Sequence, residues 1–170
     1  MSVLMDDTIT QEDLGGGRGK PLPTGVEYQG VFVEHKQDHK ENGVQQALTI
    51  GNISTVDGRT EFDLNGSGTY RIGNRKVFVR CWSEQKSEEA QRIGHAELKR
   101  IAVATGLVAT PQKGEKVTLP TTDPEELAQS FVGRTVKFTV KHVTRKKAGK
   151  VVFEDDGETP KVDVEVARWL

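Results

Sequence analysis

Hydrophobic and polar residues alternate with period two along most of the chain, and in one long stretch the period changes to about 3.6, so the pattern predicts a mainly β protein interrupted by helix. Val26, Tyr28 and Phe32 alternate with Glu27 and Gln29, while Val31 and Val33 make the end of this first strand apolar on both faces. A polar turn containing His35, Lys36, His39, Lys40, Asn42 and Gly43 is expected next, then a second strand over 47–56. Asp57-Gly58 predicts a tight hairpin, Asn65-Gly66-Ser67-Gly68 a looser turn and Gly73-Asn74 a third, before the best-patterned strand at 76–82.

The helical stripe comprises Ala90, Ile93, Leu98, Ile101, Ala102 and Thr105, with Glu88, Glu89, Arg92, Lys99 and Arg100 largely outside it and Gly106 placed as a C-terminal cap. Asp123 followed by Pro124 predicts the start of a short second helix that runs through Ser130 and ends at Gly133. Strands resume at 134–143 and 150–153, separated by a turn through Lys146-Lys147-Ala148-Gly149. After a turn at Asp155-Asp156-Gly157, Val162, Val164 and Val166 alternate with charged residues as the last strand. Three strands, a helix and then further strands is the order of an OB-fold, a five-stranded Greek-key barrel with its helix between strands three and four. A β-sandwich, or an open meander with an added helix, reads similarly.

The chain has 170 residues, enough for one domain with a full core. Residues 1–23 are polar and without periodicity, and the run Gly15-Gly16-Gly17-Arg18-Gly19-Lys20-Pro21 reads as a flexible arm carrying two cations, leaving 24–170 as the folded domain. It is not a phosphate loop: Leu14 stands where the first glycine belongs, and Pro21 where Ser or Thr belongs. One cysteine, Cys81, excludes an internal disulfide and reads as a buried thiol in a reducing compartment. No run approaches the roughly 20 apolar residues of a membrane helix. The expected location is the cytoplasm.

With a formal net charge of −1, any affinity for phosphate has to come from local clusters of cations. In 76–82, Val77, Val79 and Cys81 point one way, while Lys76, Phe78, Arg80 and Trp82 point the other. The second face interleaves cations with aromatics, as a stacking platform for unpaired bases requires; the competing expectation is that Phe78 and Trp82 pack under the helix. Lys137 and Lys141 alternate with Val136, Phe138 and Val140, and Arg145, Lys146, Lys147 and Lys150 continue the positive run with no acid before Glu154. In an OB barrel this hairpin and the turn bearing Lys36 and Lys40 would flank the ligand groove. Catalytic signals are poor. His35 and His39 lie on a turn without further ligands at metal spacing, His95 has no apparent partner, and residues 154–158 lack the ligand alternation of a calcium loop. Neither a metal, a cofactor nor a catalytic residue is assigned.

The segment Leu98-Lys99-Arg100-Ile101-Ala102-Val103-Ala104-Thr105-Gly106, followed by Glu126-Leu127 and Phe131-Val132-Gly133-Arg134, resembles phage-encoded proteins long catalogued as a domain of unknown function. Pro23-Thr24-Gly25 and Asn42-Gly43 fit the same pattern, and the resemblance covers residues 21–166. It implies a phage gene of replication or recombination, similar to single-stranded-DNA-binding proteins, acting in the host cytoplasm; it supplies no set of functional residues. The chain ends in Val166-Ala167-Arg168-Trp169-Leu170, unlike the acidic tail by which many such proteins recruit partners. The expected function is largely sequence-independent binding of single-stranded DNA by charge and stacking, with RNA left open and phage replication or recombination proteins as further partners. The alternative is a phage accessory or structural protein acting through protein contacts. A monomer and a dimer both remain open.

Overall fold

The computed structural model describes residues 21–63, 69–153 and 157–170. The expected arm up to residue 20, the turn at 65–68 and the acids at 154–156 lie outside the described residues. Among those described, the chain forms β1 (Tyr28–Lys40), β2 (Gly43–Thr55), β3 (Glu61–Asp63), β4 (Thr69–Arg71), β5 (Val77–Gln85), α1 (Glu88–Ala104), α2 (Pro124–Phe131), β6 (Thr135–Thr144), β7 (Lys146–Lys147), β8 (Lys150–Val151) and β9 (Val162–Trp169). The mainly β architecture with two helices agrees with the hydropathy pattern. β1, β2, β5, β6 and β9 form one antiparallel sheet in the order β5-β2-β1-β6-β9, while β3-β4 and β7-β8 are separate small hairpins.

Successive antiparallel ladders fix the direction of each strand relative to its neighbour. Four of them, β5 to β2, β2 to β1, β1 to β6 and β6 to β9, leave the outer strands β5 and β9 pointing the same way. These two approach within 8 Å Cα to Cα but share no ladder, so a seam remains where the sheet curls back on itself. Register shifts in β1 between Gln29 and Val31 and between Phe32 and Glu34 bend it. Residues 28–31 pair with both β2 and β6, and the rest continues beside β2 alone.

The inner face carries Tyr28, Phe32, Leu48, Ile50, Val77, Val79, Val136, Phe138 and Val140, all buried. Rings of Tyr28 and Phe138, Phe32 and Phe131, and Phe32 and Trp169 sit 5.9–6.1 Å apart in tilted pairs, joining β1, β6, β9 and α2 into one aromatic core. Ser87 caps α1 through its hydroxyl, and Gly106, at φ +75°, turns the chain away just beyond it. Asp123 caps α2 by accepting from the Glu125 amide at 3.0 Å, with Pro124 at the first helical position.

Four expectations need correction. The polar stretch 35–42 is no loop: β1 and β2 stay paired out to Lys40 and Gly43, leaving Glu41 and Asn42 to turn the chain. The strand expected at 150–153 pairs only over Lys150–Val151, with an isolated bridge from Phe153 to Pro160. Ile93 is not on the buried stripe of α1; it is 53% exposed, and Gly94 faces the sheet instead. The folded domain also starts earlier than residue 24. Leu22 is buried in the core, its carbonyl lies 2.7 Å from His142 Nε2, and Tyr28 Oη donates to the Pro23 carbonyl at 2.6 Å.

Gly94 is where α1 meets β5. A Cβ built there would lie 1.9 Å from the Trp82 carbonyl oxygen, so no side chain fits. Gly94→Ala is expected to lower stability by about 1–3 kcal/mol in urea unfolding, although alanine favours helix by about 1 kcal/mol over glycine. Leu22→Ala is expected to cost about 2–5 kcal/mol as a large-to-small core change. An unchanged unfolding midpoint for Leu22→Ala would return that residue to the arm.

Candidate nucleic-acid interface

The register of β1, β2 and β5 assigns each side chain to a face, because directly paired residues point the same way. Lys36 pairs with Ala47, which pairs with Arg80; Asp38, Gln45 and Trp82 form a second row, and Glu34, Thr49 and Phe78 a third. These rows lie on the outer face, opposite Val77, Val79 and Cys81. Phe78 is 59% exposed and Trp82 half-buried, so neither aromatic is a core residue under the helix. Lys76, Arg80 and Lys36 are exposed.

Along the β5–β9 seam runs an open groove of about 1000 Å³. Lys76, Phe78, Arg80 and Trp82 form its β5 wall, Val162 to Val166 its β9 wall, and Ala90, Ile93, Gly94 and Glu97 of α1 its roof. Pro21 and Arg145 also line it. The seam opens here because α1 covers only one stretch of the free edge of β5. His95 Nε2 lies 2.7 Å from the Ser83 carbonyl, and Gln91 accepts from the Gln85 amide at 3.2 Å. The walls differ in charge: the β5 side is cationic, whereas Asp163 and Glu165 stand on β9.

The other candidates are dispersed. Arg145 reaches the groove, but its Nε and Nη2 both donate to Asp163 Oδ1, at 3.0 and 2.6 Å, so the cationic run meets an acid in space that it lacks in sequence. Lys146, Lys147 and Lys150 are exposed on the small β7-β8 hairpin and do not line the groove. Lys40 lies at the far end of the β1-β2 hairpin, opposite Gly43. Lys137 is on the outer face opposite Gln29. Lys141 faces Glu165 across the ladder and lines a second cleft of about 720 Å³ with Lys99, Arg100 and Arg168. The two clefts adjoin, since Glu97 and Val166 line both.

His35 faces inward. Its Nε2 lies 2.7 Å from Gln46 Oε1 and its Nδ1 2.9 Å from Gln129 Oε1, while Gln46 donates to Gln37 Oε1 at 2.8 Å and to Ser83 Oγ at 3.0 Å. Gln46 is only 1% exposed, so these bonds offset the cost of burying its amide. The network holds β1, β2, β5 and α2 together and leaves His35 turned away from the groove. Among the described residues no cluster of three or more His, Cys, Asp or Glu could hold a metal ion, and no helix is long and apolar enough to cross a membrane.

Burial, with Glu97 nearby as a smaller influence, pushes the Cys81 thiol up to about 12. Burial likewise raises the Tyr28 phenol far above its ordinary value. In the unfolded chain both groups release protons at lower pH, so the folded state loses relative stability as pH rises from about 9 toward 12. Urea midpoints are expected to be level from pH 7 to 8 and to fall above 9. At pH 8 a thiol reagent is expected to label Cys81 rapidly only after denaturant is added; equal rates with and without denaturant would contradict its burial.

Sequence reasoning missed Ile93, assigned to the core because it falls on the apolar stripe, and Arg75, which also lines the groove. Arg168 was missed as well, since one arginine at the chain end carries no pattern. Comparison of the chain with models of protein families finds no match, and comparison with curated proteins finds none either.

Proposed function

We propose that this protein binds single-stranded nucleic acid, DNA in the first instance, in the groove between β5 and β9 of an OB-type barrel. The observation that carries the reading is the β5 wall, where Phe78 and Trp82 alternate with Lys76 and Arg80 along an open groove roofed by exposed Ile93. Burying such a side chain is worth about 1.5–3 kcal/mol relative to leaving it in water. Bases stacked on Phe78 and Trp82 would recover that, while phosphates track Lys76, Arg80 and, one row over, Lys36. Neither interaction distinguishes one base from another, so binding would tolerate most sequences.

The strand order β5-β2-β1-β6-β9, with α1 between the third and fourth long strands, supports the OB reading, as does the outer face of the second and third strands, where that fold binds oligonucleotides. The likeness of residues 98–106 and 131–134 to phage proteins supports a role in phage DNA replication or recombination. In this reading the protein is a binder without catalytic chemistry. Glu97, Asp163 and Glu165 in the same groove favour the rival, a phage accessory or structural protein that engages a basic protein segment.

Anisotropy titration of a labelled oligonucleotide separates the two. Single strands are expected to bind more tightly than duplex, with log affinity falling linearly in log salt. Phe78→Ala or Trp82→Ala should cost about 1–3 kcal/mol per stacked base and leave the salt slope intact. Lys76→Ala with Arg80→Ala should flatten the slope by about 0.7 for each phosphate no longer neutralised. Lys146→Ala with Lys147→Ala should change it less, because the hairpin lies outside the groove. Equal affinity for duplex and single strand, or no salt dependence, would sink the proposal.

A further inference from the structure

The groove opens beside Pro21, the first described residue, so the twenty residues before it enter the fold at its mouth. Their composition is uneven. Residues 1–14 contain Asp6, Asp7, Glu12 and Asp13 and no Lys or Arg, with Val3, Leu4, Met5, Ile9 and Leu14 interspersed. That is the complement of the β5 wall and roof, which present Lys76, Arg80, Phe78, Trp82 and Ile93. The run Gly15-Gly16-Gly17 permits a reversal of chain direction between the acidic segment and Pro21.

Reach is sufficient. From Lys76 to Trp82 the wall spans roughly 20 Å at strand spacing, and the twelve residues 3–14 cover at most about 40 Å when extended. The seam also leaves the edges of β5 and β9 without a ladder between them, so an extended segment lying there would meet backbone groups as well as side chains.

We infer that residues 3–14 dock in the β5–β9 groove of the same molecule, carboxylates on Lys76 and Arg80 and apolar side chains on Phe78, Trp82 and Ile93. Resting on the nucleic-acid reading of that groove, the arm is then a built-in competitor: it must leave before a strand can enter. A tethered segment competes at an effective concentration set by its short linker, so modest intrinsic affinity suffices. The carboxylates imitate phosphates and the apolar side chains imitate bases.

The test uses the full chain. Met5→Cys carries a nitroxide, Cys81 staying unlabelled because it is 2% exposed, and amide line broadening is read by NMR without nucleic acid. The amides of Phe78, Arg80, Trp82 and Ile93 are expected to lose intensity selectively. That loss should fade when Asp6, Asp7, Glu12 and Asp13 are changed to Asn or Gln. Broadening on another face, or on none, overturns the docking; broadening only when label and isotope are on different molecules overturns it in favour of a second copy.

The neutralised variant is also expected to bind an oligonucleotide at least about fivefold more tightly, since an occupied groove lowers observed affinity by the fraction left open. Equal affinity in both forms overturns the competition. If neither form binds oligonucleotide while the groove amides still broaden, the arm docks as inferred and the nucleic-acid reading is the one that fails.

Discussion

Five strands joined in succession by antiparallel ladders cannot close with a sixth of the same kind, because their outer edges point in the same direction. Closing this sheet would demand a parallel pairing between β5 and β9, whose slanted hydrogen bonds need a register of their own. Helix α1 resolves the conflict by lying across the seam. Gly94 lets its backbone settle against Trp82, His95 and Gln91 reach the free edge of β5, and Glu97 accepts from Trp169 Nε1 of β9 at 2.5 Å. Everything beyond the reach of that helix remains open, and that opening is the groove. Site and fold therefore share one cause: a helix too short to seal the edge it covers.

The far end of the β1-β2 hairpin is stabilised by different means. Apolar packing thins out there, and the inner face turns polar with His35, Gln37, Gln46 and Ser83, which satisfy one another and Gln129 of α2. A partly satisfied set would be costlier than an apolar one, so each member constrains the others. This holds β5 in register with β2 through the bulge between Val44 and Gln45 and keeps the rows of Lys36, Arg80, Phe78 and Trp82 aligned on the opposite face.

Period-two alternation made β5 legible down to individual side chains: the faces assigned to Val77 through Trp82 are those observed, because a central burial pattern allows one register only. The helix caps at Asp123-Pro124 and Gly106 were legible for a similar reason, each being a local solution to unsatisfied backbone groups. Residues 35–42 were not. Their polarity reads as a loop, yet long-range pairing extends the strands through them and buries the polar side chains in a network no local pattern reveals. Ile93 failed differently: periodicity says which residues share a stripe but not how wide a stripe the sheet can cover, and Gly94 takes its place against β5. The isolated cations of the 137–150 run were read by their spacing in sequence, whereas Asp163 and Glu165, some twenty residues on, neutralise part of that run across a ladder.

The two tryptophans meet α1 at Gly94 and Glu97, about one helical turn apart, in unlike surroundings. Trp169 packs against Phe32 and Phe138 and donates its indole proton to Glu97, whereas Trp82 lies half in solvent on the groove wall. Intrinsic fluorescence of the unmodified protein thus carries two separable signals. Emission from the Trp169 indole follows the integrity of the aromatic core, and collisional quenching by a neutral solute such as acrylamide reports first on Trp82. The chain is its own optical probe, with one chromophore reading folding and the other reading whether the groove is covered.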